Sequence, residues 1–184
     1  MTQYDLVIIG SGPGGRAAAI QAGKLKRRVL VIDRKDRFGG VSVHTGTIPS
    51  KTLRETVLNL SGWRERSFYG RSYRVKDEIG ADDLKMRLHK TLDYEVDVLE
   101  HQFNRNHVET MSGLARFISP NEVEVTAENG EVTTVAGAHF LIATGTYTYR
   151  PDNVPFNGTT ILDSDEFLEM AQIPRSLIVI GAGV

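Results

Sequence analysis

Gly10-Ser11-Gly12-Pro13-Gly14-Gly15 sets glycines at the spacing that lets backbone N–H groups close around a pyrophosphate. Its context is what makes the spacing chemical. An apolar run, residues 4–9, enters the loop, and the alanine-rich residues 16–22 leave it as a helix. The next apolar run, residues 28–32, ends at Asp33. In such a unit Gly10 makes the turn, Gly12 admits the phosphate and Gly15 brings helix against strand. The helix N-terminus adds uncommitted N–H donors and a partial positive charge, with Pro13 and Gly14 opening it. Asp33, 18 residues past Gly15, is placed to accept a hydrogen bond from a ribose hydroxyl. For the loop alone, the alternative is an ordinary βαβ turn with no ligand. A second start lies about 170 residues on, where Leu177-Ile178-Val179-Ile180 runs into Gly181-Ala182-Gly183. Two such starts imply two nucleotide sites, the second broken off within its turn.

Between Asp33 and residue 62 a second glycine-rich stretch reads Phe38-Gly39-Gly40-Val41-Ser42-Val43-His44-Thr45-Gly46-Thr47-Ile48-Pro49-Ser50-Lys51. Gly40 and Gly46 permit close backbone approach, and Pro49 suits the first turn of a helix with Thr47 as its cap. Lys51 then falls in that first turn, near whatever sits at the helix start. An ordinary surface lysine is the alternative.

Composition narrows the class. The chain has 184 residues, 40% of them hydrophobic, and a net charge of −1. One domain and part of another is the expected content. So balanced a charge argues against nucleic acid or an anionic membrane as partner. No apolar run approaches the ~20 residues of a membrane span, and residue 4 already enters a strand, so neither a span nor a leader is expected. Cysteine is absent, which removes disulfides, thiolate metal sites and cysteine nucleophiles from these residues. The histidines at 44, 89, 101, 107 and 139 form no metal-ligand spacing, and no metal is expected. The cytoplasm is the expected location.

The elements that position these residues follow from periodicity. Leu84, Leu88, Leu92, Val96, Leu99 and Phe103 recur at steps of four or three, an amphipathic helix over 82–103 whose stripe serves packing or subunit contact. Residues 62–81 read as a loop or helical bend leading to it. From 108 the period becomes two, Asn129-Gly130 supplies a hairpin turn, and a β-meander is expected over 108–137. A separate apolar strand, residues 139–142, ends at Ala143-Thr144-Gly145, where open α/β sheets bind ligands. The expected fold is α/β, a Rossmann-like parallel sheet with a three-stranded meander and a long helical segment over 48–105. It fills residues 1–150, followed by a linker and the first strand of a second dinucleotide domain over 151–184.

Taken in order, these motifs resemble the two-dinucleotide flavoprotein family that includes glutathione reductase and dihydrolipoamide dehydrogenase. The match rests on residues 10–15, Asp33, 39–51, Gly113-x-Ala115-x-Phe117, Ala143-Thr144-Gly145, Asp163-Ser164 and Gly181-x-Gly183. The resemblance implies FAD at the first site and NAD(P)H at the second, in a longer homo-oligomeric protein. It also implies that Arg34, Val41, Ser42, Ala115 and the residues already singled out line the cofactor. The disulfide reductases of the family carry Gly-Gly-x-Cys-x-x-x-x-Gly-Cys-x-Pro-Ser-Lys, and here Ser42 and Thr47 stand at the cysteine positions. Hydroxyls form neither a disulfide nor a charge-transfer thiolate, so dithiol–disulfide exchange is excluded. Gly46-Thr47-Ile48-Pro49-Ser50-Lys51 is similar instead to the soluble pyridine nucleotide transhydrogenase subgroup, as is Asn104-Arg105-Asn106 followed by Gly113-x-Ala115-Arg116-Phe117. Ser42 departs from that subgroup, which retains the first cysteine. The resemblance implies hydride exchange between NADPH and NAD+ through FAD, with Lys51 tuning the flavin, and an inactive chain when these 184 residues stand alone. A dihydrolipoamide dehydrogenase-like member without its cysteines and a non-catalytic FAD-binding module are the alternatives.

Overall fold

A computed structural model describes residues 3–181. The chain forms two compact units, residues 1–49 with 90–147 and residues 50–89 with 148–184.

The first unit is built on a six-stranded sheet in the order β3-β2-β1-β6-β5-β4. Its strands are β1 (Gln3–Ile9), β2 (Val29–Asp33), β3 (Val108–Ser112), β4 (Leu114–Ser119), β5 (Glu122–Thr126) and β6 (Val132–Ile142). Helix α1 (Pro13–Lys24) connects β1 to β2, and α2 (Gly40–His44) follows β2. Helices α3 (Thr47–Leu60) and α5 (Ala81–Arg105) each have residues in both units.

Strand β2 lies between β1 and β3, parallel to both, with Leu30 opposite Val7 and Glu109. A central parallel strand is buried on both faces, which is why Val29-Leu30-Val31-Ile32 carries no polar residue. The alternation of the pleat divides it. Val29 and Val31 join Ile8, Ala19, Phe38, Leu99, Phe103 and Val108 on one face. Leu30 and Ile32 join Tyr4, Val7, Val123, Val125 and Val135 on the other. The predicted stripe on α5 therefore packs into the core through Leu99 and Phe103, and Phe103 meets Phe38 edge to face at 6.3 Å.

Three expectations need correction. Strand β3 pairs parallel with β2, so residues 108–112 belong to the central sheet, and the meander is β4, β5 and the first half of β6. Residues 139–142 are not a separate strand. Strand β6 is continuous over eleven residues, antiparallel to β5 through Ala136 and parallel to β1 from Ala136 to Ile142. One strand serves both pairings because its first residues, Val132–Val135, pair only with β5, whereas from Ala136 onward it lies beside β1. Residues 177–180, finally, form no strand: Ile178 is 88% and Ile180 96% exposed. A parallel strand exists only through neighbouring strands, and no described residue pairs with these.

In the second unit a single 3₁₀ turn, Trp63–Glu65, and a short helix α4 (Arg66–Tyr69) occupy the predicted bend. Arg64 bridges to Glu55 at 2.7 Å, and Arg66 lies over the Trp63 ring while donating to the carbonyl oxygens of Ser61 and Tyr73. Helix α6 (Ser164–Phe167) is closed by a reciprocal cap. Asp163 accepts from the N–H groups of Asp165 and Glu166, and Glu166 accepts from the N–H of Asp163.

Candidate functional site

The loop after β1 is shaped by two contacts that leave no room for side chains. Gly10 has φ of +106°, and a Cβ there would sit 2.2 Å from the carbonyl oxygen of Ala143. Its N–H donates to Ile32 O, and the Ala143 N–H donates to Ile9 O, each at 2.8 Å. The loop is thereby fastened to the ends of β2 and β6 together. A Cβ on Gly15 would lie 1.9 Å from the Gly10 carbonyl oxygen, so α1 closes directly on the turn. Gly12 differs: a Cβ there meets nothing within 4 Å. Gly12 is also the N-cap of α1, with Pro13 in the first turn, no side-chain cap and no acid in the first turn. The first N–H donors of α1 are left for an anion arriving over Gly12.

Asp33 stands at the end of β2 beside this loop. Its Oδ2 accepts from the Ser11 N–H at 2.8 Å and the Ser11 hydroxyl at 2.5 Å, and its Oδ1 accepts from the Lys35 N–H at 3.2 Å. Ser11 is fully buried, and its Oγ also accepts from the Gly39 N–H at 2.8 Å. Sequence reasoning passed over Ser11. Its only signal was a hydroxyl between two glycines of a loop that must be buried. The second glycine stretch folds onto the first, since a Cβ on Gly40 would sit 2.8 Å from the Gly12 Cα. Gly113 donates its N–H to Asp33 O at 2.8 Å, bringing the strand of Ala115 to the same end of β2.

The other predicted residues are placed as follows. Arg34 is exposed next to Asp33. Val41 is exposed, and its carbonyl accepts from the N–H groups of Thr45 and Gly46 at 3.0 and 2.7 Å. Ser42 is half-buried and lines a cavity of about 500 Å³ with Pro13, Arg16, Val43, Ile48 and Gln102. Arg16 donates twice to the Gln102 side-chain oxygen on its wall. Thr144 and Gly145 follow β6, exposed. Thr47 is the first residue of α3 and not a cap outside it, because the helix is continuous from the turn at Gly46. Lys51 is exposed on α3 and, with Gly181, belongs to the second unit. Gly183 lies outside the described residues. The first unit thus brings residues 10–15, Asp33, 39–46, 113–115 and 143–145 to the carboxyl ends of β1, β2 and β6.

A helix N-terminus after a glycine turn, an acid ending the second strand and a meander inserted before the return strand define a dinucleotide-binding oxidoreductase fold. Residues 4–184 match the sequence model of the pyridine nucleotide-disulphide oxidoreductases, and the chain belongs to that family. It is 49% identical over 185 aligned residues to the soluble pyridine nucleotide transhydrogenase of Mycobacterium tuberculosis (strain ATCC 25177 / H37Ra), covering all of this chain and 40% of that protein. It is 34% identical to the enzyme of the same name from Colwellia psychrerythraea, over 98% of this chain and 39% of the relative. The chain therefore spans about 40% of the length of these relatives. Among solved structures, the Cu(II) complex of the HOCl-induced flavoprotein disulfide reductase RclA from Escherichia coli has the same fold. Its TM-score is 0.72 at 23% identity, over 95% of this chain and 36% of that one. Among the described residues, no helix is long and apolar enough to cross a membrane, and no group of His, Cys, Asp or Glu is arranged to hold a metal.

Proposed function

We propose that these residues are the FAD-binding portion of a flavoprotein that exchanges hydride between NADPH and NAD+. One observation carries the reading: an intact cradle, open over Gly12, stands in a chain whose family cysteine positions hold Ser42 and Thr47. The cradle fits a pyrophosphate, because the loop is open over Gly12 and Gly14, beside the uncommitted first N–H groups of α1. Asp33 beside it suits a ribose hydroxyl. When bound, FAD supplies hydride chemistry that no side chain here possesses.

The chain's own residues then hold and shield. Gly12, Pro13 and Gly14 receive the pyrophosphate, and Asp33 orients the adenosine ribose, with Arg34 beside it. The strand ends at Ala115 and Ala143-Thr144-Gly145, and the stretch from Gly40 through Val41 and Ser42 to Gly46, line the remainder. Lys51 offsets negative charge on the flavin, a role supported by the match of residues 46–51 to the transhydrogenase subgroup. Ser42 and Thr47 form no disulfide, so bound flavin would have no dithiol relay here, which suits a second nicotinamide as the hydride acceptor. Gly181 and Gly183 open the second dinucleotide site. A homo-oligomeric state belongs to this reading through the family resemblance alone. A cytoplasmic location, checked by fractionation, belongs to the same reading.

The test is NADPH-dependent reduction of an oxidised NAD analogue by protein in which both glycine fingerprints are complete, with FAD added. Exchange without any disulfide substrate is the expected result. Turnover of dihydrolipoamide in the absence of nicotinamide exchange would overturn it in favour of a dihydrolipoamide dehydrogenase-like enzyme. Bound FAD with neither activity would make this a binding module.

A further inference from the structure

We propose that Ser11 is a positioning residue, whose hydroxyl fixes Asp33 so that one carboxylate oxygen reads the ribose of the bound dinucleotide. The proposal rests on the FAD reading above.

Three parts of the first unit meet at this hydroxyl: the glycine loop, the end of β2 and the second glycine stretch. Ser11 is 0% exposed, so its Oγ is satisfied only from within. An ionised carboxylate only accepts and a backbone N–H only donates. The Ser11 proton therefore goes to Asp33 Oδ2, and an oxygen lone pair takes the Gly39 N–H. The chain Gly39 N–H to Ser11 Oγ–H to Asp33 Oδ2 has one direction and no second arrangement. With the Ser11 N–H added, Oδ2 carries two donors from one residue and faces inward. Oδ1 takes only the Lys35 N–H, at the longer distance of 3.2 Å and on the exposed side. It is the oxygen left to accept a ribose hydroxyl. Asp33 thus reads one hydroxyl through Oδ1 instead of embracing the ribose with both oxygens.

Loss of the Ser11 hydroxyl strips one donor from Oδ2, orphans the buried Gly39 N–H and frees the carboxylate to rotate. The consequence is specific. Contacts to the pyrophosphate and flavin stay, whereas discrimination for the ribose hydroxyl falls. A residue that merely fills space would weaken all ligands alike.

The experiment measures dissociation constants by flavin fluorescence for FAD and for an FAD analogue lacking the 2′-hydroxyl of the adenosine ribose. Wild-type protein, Ser11→Ala and Ser11→Cys are compared. A hydrogen bond to a charged acceptor predicts that wild type prefers FAD by about tenfold or more. In Ser11→Ala the preference should shrink to about threefold or less. Ser11→Cys, of similar shape but a weaker donor, should lie between, and it decides the matter if the alanine variant does not fold. An undiminished preference in the variant, even with a lowered melting temperature, would overturn the proposal and leave FAD binding intact. So would wild-type binding with no preference. Wild-type protein that binds no FAD would remove both this proposal and the function it rests on.

Discussion

At Gly12 the fold and the ligand make opposite demands, and one substitution separates them. Its φ is −62°, and a Cβ meets no atom within 4 Å, so the chain accommodates a side chain that the pyrophosphate does not. Gly12→Val is expected to yield soluble protein, destabilised by only about 1 kcal/mol through the poorer N-cap, and devoid of yellow colour. Retention of stoichiometric flavin, read from visible absorbance, would refute FAD at this loop. Gly15 gives the contrast. Its Cβ would lie 1.9 Å from a backbone oxygen, so Gly15→Ala forces α1 off the turn. A loss of about 3 kcal/mol, at the upper end of overpacking costs, is expected in urea titration. Lys51 tests the chemistry of the flavin itself. If its ammonium offsets negative charge there, Lys51→Met lowers the two-electron potential by on the order of 30 mV, equivalent to about 1.4 kcal/mol. An unchanged potential returns Lys51 to the role of a surface lysine.

Elements differ in how much of their placement is local. Helix α5 was legible because a stripe at steps of three and four needs no partner to be recognised. Its burial could be tested at Phe103, which is 1% exposed against Ile8, Leu99 and Phe38. Phe103→Ala should cost about 3–5 kcal/mol by chemical denaturation, and a loss under 1 kcal/mol would place the helix outside the core. The cap of α6 carries a pH signature. Burial pushes the Asp163 carboxyl up. The Glu166 N–H, the Arg150 guanidinium and the Asp165 N–H outweigh burial and hold it below the ordinary value. A carboxyl depressed in the folded state stabilises fully above its unfolded value, about 3.9. That contribution is lost as pH falls through the folded value. Denaturation midpoints should therefore drop below about pH 4 more steeply in wild type than in Asp163→Asn. Parallel pH profiles would remove Asp163 from the account.

At the scale of the whole molecule, the described residues hold one complete nucleotide cradle and the approach to another. Leu177-Ile178-Val179-Ile180 has the composition of a buried strand yet lies exposed, and the relatives are about two and a half times as long. Hydride exchange should therefore require chain beyond residue 184. With saturating FAD and NADPH, the 184 residues alone should reduce an NAD analogue only at a background rate, whereas a chain of the relatives' full length should do so well above background. Equal rates would show that the second dinucleotide site is unnecessary.

The sequence by itself determined whatever is covalent or local. Glycine spacing, the apolar runs of β1 and β2, the hairpin at Asn129-Gly130 and the stripe of α5 are properties of neighbouring residues. That these 184 residues form no disulfide follows from the absence of cysteine, with Ser42 and Thr47 where the resembled reductases carry theirs. Tertiary structure decided what depends on residues far apart in the chain. It assigned residues 108–112 to the central sheet through pairing with β2, and it let β6 join meander and parallel sheet in one strand. It also made Ser11 the link between Asp33 and Gly39, across 22 and 28 residues of chain. Periodicity reports which residues avoid water. Which buried donor meets which acceptor is settled only when packing brings them within 3 Å, because an unsatisfied group there costs about 1–3 kcal/mol.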